Sequence, residues 1–85
     1  MKFNTKYIRD YIESHKSELC CVICGCIETW PGSTCAVYCN GDYRMDLFRL
    51  DSRIEKGIAQ TPYMLVIYND GSISYLQCGE EDFVC

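Results

Sequence analysis

Apolar residues recur at helical spacing through the first nineteen positions of the chain. One half of a helical wheel is mainly apolar and the other half is charged or polar, which is typical of an amphipathic helix. Asn4 or Thr5 is suited to cap its N-terminus, and we expect the helix to run to about Glu18. The apolar half consists of Phe3, Tyr7, Ile8, Tyr11, Ile12, His15 and Leu19. We expect this half to pack on an apolar surface.

The pattern after the helix is that of β-strands. Residues 20–28 are almost continuously apolar, which predicts a central strand covered on both faces. Trp30 and Pro31 begin a turn. Residues 34–39 and 42–50 are predicted strands joined by Asn40-Gly41, a strong hairpin signal. With a two-residue loop, Tyr38 faces Tyr43, Ala36 faces Met45 and Thr34 faces Leu47 on one side. Cys39–Asp42, Val37–Arg44 and Cys35–Asp46 then lie on the other side.

The last third of the chain predicts a short helix and a second hairpin. Asp51 can cap a helix near residues 51–57, and Gly57 ends it. Residues 63–69 and 72–78 are predicted strands around Asp70-Gly71. A two-residue loop pairs Tyr68 with Ile73, Val66 with Tyr75, Ile67 with Ser74 and Leu65 with Leu76. The expected fold is α+β: an N-terminal amphipathic helix packed on a four- to five-stranded antiparallel sheet, with a short second helix near residues 51–57.

Length and charge narrow the possible functions. Eighty-five residues form one domain, residues 1–85. The net charge is −4, and residues 61–85 carry four carboxylates with no Lys or Arg. An acidic chain repels phosphate backbones, so we expect no direct nucleic-acid binding. No run approaches the ~20 apolar residues that span a membrane. The first nineteen residues lack the apolar core of a secretory signal, so we expect no membrane contact and a cytoplasmic location.

Eight cysteines raise the question of a metal site. The strongest candidate ligand set is Cys21, Cys24, Cys35 and Cys39, because two closely spaced cysteine pairs can hold structural zinc. If residues 20–28 form a strand, however, Cys21 and Cys24 point to opposite faces. We therefore expect reduced thiols without metal or cofactor, and keep a structural-zinc adaptor with a four-cysteine site as the alternative.

A thiol-based redox function is a second alternative. The predicted hairpin register places Cys35 and Cys39 beside Arg44, and a thiol next to a cation has a lowered pKa and higher reactivity. A catalytic apparatus is not evident otherwise, because His15 is the only histidine and no nucleotide-binding, metalloprotease or serine-hydrolase motif occurs. We expect no catalytic residues and no enzyme.

The leading hypothesis is a small non-enzymatic module that binds another protein with a basic surface, as a monomer or homodimer. Exposed aromatic residues beside carboxylates are typical of protein interfaces. The candidate partner-binding residues are Glu28, Trp30, Asp42, Tyr43, Asp46, Glu80, Glu81, Asp82 and Phe83. An inhibitor of the phage or mobile-element anti-defence kind, such as an anti-CRISPR or a DNA-glycosylase inhibitor, suits this size and charge.

One family resemblance can be noted beside that hypothesis. The predicted order of helix, strand, hairpin and hairpin, with the sequence of residues 61–67 before a turn, resembles phage inhibitors of uracil-DNA glycosylase. The resemblance covers the last third of the chain and implies an antiparallel α+β fold that blocks another protein. The family is far more acidic, and its glutamate-bearing docking strand has no counterpart here, so no site residues follow from it.

Overall fold

A computed structural model shows a five-stranded antiparallel sheet with two helices. It describes residues 2–27, 33–58, 61–77 and 83–84. Its elements are α1 (Thr5–His15), β1 (Leu19–Ile27), β2 (Ser33–Cys39), β3 (Asp42–Tyr43), α2 (Phe48–Glu55), β4 (Thr61–Tyr68) and β5 (Ile73–Gln77). The spatial order of the strands is β3-β2-β1-β4-β5, and every neighbouring pair is antiparallel. The α+β class predicted from the sequence is confirmed.

The N-terminal helix forms as its pattern predicts. Asn4 caps α1, because its side-chain oxygen accepts a hydrogen bond from the Tyr7 backbone N–H at 3.1 Å. Ile8 and Ile12 are fully buried against the sheet. The helix ends at His15 rather than near Glu18, since residues 16–18 form a turn that leads into β1. Neither helix among the described residues is long and apolar enough to cross a membrane.

The central strand separates two different faces of the sheet. Val22, Cys24 and Cys26 are buried on the face that packs on the helices, together with Met64 and Val66 of β4. We call this the inner face. The prediction that β1 is covered on both faces is wrong for the described residues, because their second face lies outside the core and carries no helix. Apolar residues occupy both alternating sets of positions in β1, and this pattern is the same as that of a strand buried on both faces.

The first hairpin has the predicted loop but a much shorter second strand. Asn40 and Gly41 have φ values of 49° and 90°, as a two-residue type I′ turn requires, and Tyr38 pairs with Tyr43. The predicted strand over 42–50 is wrong beyond Tyr43, because the chain turns there into α2. The predicted pairs Ala36–Met45, Thr34–Leu47 and Cys35–Asp46 therefore do not form as strand pairs.

The second helix starts three residues before the predicted position. Leu47, Leu50 and Ile54 contact the core, and their spacing of three and four residues suits a helix better than a strand. Gly57 follows the helix as predicted. Because Leu47 and Leu50 were assigned to a strand, the helical spacing that they share with Ile54 was missed.

The second hairpin is shifted by one residue from the predicted register. The backbone N–H of Tyr68 donates to Ser72 at 2.9 Å, so the loop has three residues and ends at Gly71 with φ 89°. Asp70 stabilises this loop because its Oδ1 accepts hydrogen bonds from the Ser72 backbone N–H and hydroxyl. The observed pairs are Ile67–Ile73, Val66–Ser74, Leu65–Tyr75 and Met64–Leu76, so the four predicted pairs are wrong.

Candidate interaction surface

Alternation along four strands builds an apolar surface opposite the helices. We call this surface the outer face, and none of its side chains belongs to the core cluster or packs against it. β1, β2, β4 and β5 contain no charged residue, so their apolar side chains populate both faces. The outer face consists of Cys21, Ile23, Ile27, Thr34, Ala36, Cys39, Thr61, Tyr63, Leu65, Ile67, Ile73 and Tyr75.

The two most exposed large apolar side chains of the outer face lie on β5. Ile73 is 61% exposed and Tyr75 is 44% exposed. Both side chains point outward because the three-residue loop sets the register of β5 against β4. A two-residue loop would have put Tyr75 opposite Val66, on the inner face. The loop chemistry of Asp70 and Gly71 therefore decides that an isoleucine and a tyrosine are available at this edge.

An aromatic pair lies over a glycine near the middle of the outer face. Gly25 is buried although it is on the outer face, because the ring of its cross-strand partner Tyr63 covers it. Tyr63 also stacks on Tyr75, with ring centroids 5.4 Å apart and planes inclined by 25°. Burial raises the pKa of Tyr63 above its ordinary value, so its hydroxyl is neutral at physiological pH. The pair forms a continuous aromatic platform across β1, β4 and β5.

The predicted partner-binding residues that the structure describes lie in different parts of the fold. Asp42 is exposed and pairs with Cys39, so it lies at the margin of the outer face, and Asp46 is exposed near the start of α2. Phe83 is fully buried beside Phe3, with ring centroids 6.3 Å apart, so its assignment to an exposed binding tail is wrong. The backbone carbonyl of Phe83 accepts from Asn4, which fixes it in the core. Glu28, Trp30, Glu80, Glu81 and Asp82 lie outside the described residues.

Tyr43, another predicted partner-binding residue, makes internal contacts on the inner side. Its hydroxyl donates to Glu13 at 2.6 Å, and its ring lies beneath the cations of Arg9 and Lys16. Burial and the bond to Glu13 raise the pKa of Tyr43 to about 12. The same hydrogen bond lowers the pKa of Glu13 below its ordinary 4.5. Tyr43 thus links β3 to α1.

The four cysteines of the candidate zinc site form two pairs on opposite faces. Cys21 is the register partner of Cys39 on the outer face, and their sulfur atoms lie 2.6 Å apart. Cys24 is the partner of Cys35 on the inner face. An irregularity between Val22 and Ile23 shifts the β1–β2 register, which the sequence pattern did not reveal. The four sulfurs do not converge, and no three metal-ligating side chains do so within the described ranges.

The predicted reactive thiol at Cys35 is not supported by its surroundings. Burial raises the pKa of Cys35, and the nearby Arg49 opposes this shift only in part. The Cys35 thiol donates to the carbonyl of Asp46 at 3.2 Å. Burial also raises the pKa of Cys24 far above its ordinary value. The prediction of a lowered pKa for Cys35 is therefore wrong, because burial of this thiol against the core outweighs the positive charge beside it.

Comparisons with known protein families, with curated proteins and with solved structures find no match for this chain. The outer face is the feature that sequence reasoning missed. The sequence signal for the outer face was the second set of alternating apolar residues in β1 and β4, which was interpreted as a second buried face.

Proposed function

We propose that this chain is a small non-enzymatic protein-binding module that docks on its partner through the outer face. The observation that carries the proposal is an apolar sheet face, with a central aromatic platform, that lies outside the core. Contiguous apolar surface with aromatic residues and a polar margin is typical of protein interaction sites. Ile73 and Tyr75 are the expected anchors because they combine large apolar area with exposure.

The size of the outer face defines what the partner must supply. Four strands about 4.8 Å apart and about seven residues long cover on the order of 400 Å². A standard interface buries about 800 Å² on each partner, so a stable complex must extend beyond the apolar area onto its rim. Asp42 lies on that rim, and the whole chain carries a net charge of −4. The partner is therefore expected to present an apolar patch bordered by basic residues.

An inhibitory role is the form of this proposal that the sequence favours. A module that docks through a sheet face acts by covering the surface of its partner that it contacts. His15, the sole histidine, stacks on Tyr11 at 4.3 Å and has a ring nitrogen 2.9 Å from the Tyr11 carbonyl. This arrangement supports a packing role for His15. Titrating the purified module into an activity assay of the identified partner tests inhibition directly.

The proposal is tested with a matched pair of exposed apolar positions. Ile73 lies on the outer face and is 61% exposed, whereas Phe48 lies on α2 and is 79% exposed. A photo-activatable phenylalanine analogue is placed at position 73 or at position 48, and cross-linked proteins are identified by mass spectrometry. We expect a partner that is cross-linked from position 73 and not from position 48.

Binding of the purified partner then gives the quantitative test. We expect Ile73→Arg and Tyr75→Arg to raise the Kd at least about tenfold, equivalent to about 1.4 kcal/mol, while Phe48→Arg leaves it unchanged. Circular dichroism checks that each variant is folded. Equal losses at Ile73 and Phe48, or no loss at either outer-face position, contradict docking through the outer face. Self-association through Ile73 without any other partner contradicts the proposed heterologous partner.

A further inference from the structure

Cys21 and Cys39 occupy a position in the sheet that brings two side chains unusually close. The backbone N–H of Asn40 donates to the carbonyl of Cys20 at 2.9 Å. This bond joins the residues next to the pair, so Cys21 and Cys39 themselves form a non-hydrogen-bonded pair. In such pairs the Cα atoms are about 4.5 Å apart, within the range that a disulfide spans. The strand register therefore aligns the two thiols without any movement of the backbone.

We propose that Cys21 and Cys39 are a dithiol site that a small disulfide such as oxidised glutathione converts to an intramolecular cross-strand disulfide. The Cys39 thiolate attacks one sulfur of the oxidised glutathione, forms a mixed disulfide and releases one glutathione thiolate. Cys21 then attacks the Cys39 sulfur, forms the intramolecular bond and releases the second glutathione. The two protein sulfurs are oxidised by two electrons, and the two glutathione sulfurs take up these electrons and the two thiol protons. The site does not depend on the proposed partner.

The surroundings of the pair indicate which thiol reacts first. Cys39 lines a shallow surface groove together with Asn40, Asp42 and Arg44. Arg44 supplies a positive charge there that can attract the carboxylates of glutathione, beside the opposing charge of Asp42. The close contact with Cys39 raises the pKa of Cys21, and the groove gives oxidised glutathione access to the pair at Cys39. Cys39 is thus the entry point, and Cys21 is the resolving thiol.

The chain contains an internal control for this chemistry. Cys24 and Cys35 are also register partners, but Cys24 is fully buried on the inner face. Oxidised glutathione has no access to Cys24 while the protein is folded, and burial keeps this thiol protonated. If strand register alone decided which disulfides form, both pairs would be linked. A disulfide that also requires access links Cys21 to Cys39 and leaves the inner pair reduced.

The test is oxidation of the purified, fully reduced protein by oxidised glutathione, followed by acid quenching, alkylation in denaturant and peptide mapping. We expect the alkylatable thiols to fall by two, from eight to six, with the lost pair mapping to Cys21 and Cys39. Cys21→Ser is expected to accumulate one glutathione adduct on Cys39, because the resolving thiol is then missing. The wild-type rate should rise with pH, because the thiolate rather than the thiol is the nucleophile in thiol–disulfide exchange.

Two controls separate the site from general cysteine reactivity. Cys24→Ser should form the Cys21–Cys39 bond at the wild-type rate, which also shows that one altered cysteine does not prevent folding. In urea, Cys21 should distribute over several partners instead of one. The proposal is overturned if the folded protein forms no Cys21–Cys39 bond, links Cys24 to Cys35 at the same rate, or gives the same distribution of disulfides as the unfolded chain.

Discussion

Replacing Gly25 by alanine should cost stability only when Tyr63 is present. An added Cβ at Gly25 would lie 2.7 Å from Cε2 of Tyr63 and still closer to the end of that ring, so the ring must move away. The displaced ring loses its stacking on Tyr75, which is worth about 0.5–1.5 kcal/mol. It also exposes apolar surface, which costs about 0.8 kcal/mol for each methylene equivalent. Alanine in a strand regains roughly 0.5–1 kcal/mol relative to glycine. The net expectation is a loss of about 1 kcal/mol.

A double-mutant cycle measures this coupling. In a Tyr63→Ala background the added methyl group meets no ring, so Gly25→Ala should stabilise the protein by roughly 0.5–1 kcal/mol. The coupling free energy between the two positions is then about 1.5–2 kcal/mol, within the range for residues in contact. Urea unfolding followed by circular dichroism gives the four free energies of unfolding. Tyr63→Phe serves as the control, because it keeps the ring and should retain the cost.

The result that refutes this reasoning is additivity. If Gly25→Ala changes the free energy of unfolding equally in both backgrounds, to within about 0.5 kcal/mol, the Tyr63 ring does not cover Gly25 in solution. The aromatic platform on the outer face would then not exist in the form described. A binding measurement with the partner would add a second readout, since displacement of Tyr63 alters the centre of the proposed docking surface.

Two further predictions concern α1 and the core. Tyr43→Phe should lower the Tm at neutral pH, and the difference from wild type should shrink as the pH falls below 4.5, because the lowered Glu13 pKa contributes stability only while Glu13 is ionised. The difference should also shrink at high pH, because the wild type loses this stability between pH 10.0, the ordinary pKa of tyrosine, and about 12, the pKa of Tyr43 in the folded protein. Thermal melts across the whole pH range check both limits. Leu50→Ala should lower the free energy of unfolding by about 2–5 kcal/mol, because Leu50 is buried. Phe48→Ala, at an exposed neighbouring position, should change it by no more than about 0.5 kcal/mol. Urea unfolding measures both values, and similar costs for the two variants would contradict the prediction.

The parts of the fold predicted from sequence are those with a strong local signal. The spacing of Ile8 and Ile12 located α1, and Asn40-Gly41 located a tight turn with its first pairs, because both depend on neighbouring residues alone. The second loop was misjudged because Asp70-Gly71 suits both a two-residue and a three-residue loop. The choice between them depends on the side chain of Asp70, which bonds to Ser72 and favours the longer loop.

The candidate site depended on information that a single sequence does not carry. Ile23 and Leu65 occupy strands with apolar residues on both sides, and only the three-dimensional arrangement shows that both helices pack on the other face. The pairing of the cysteines depended on an irregularity next to Val22, which moved Cys35 opposite Cys24 and away from the face that holds Cys39. Such a shift has no sequence marker here, so the four cysteines were considered as one set although the sheet divides them into two.

The two edges of the sheet differ in a way that bears on how copies of this chain could meet. β5 is an edge strand of five residues, and no described strand pairs with its outer side, whereas β3 at the other edge has only two residues before the chain leaves the sheet. Strand addition needs a long row of unpaired backbone groups, so β5 is the longer template of the two described edge strands. Two copies joined through β5 would present the two-residue β3 at each end. A further copy would have to add at this shorter edge, which opposes open-ended fibre formation.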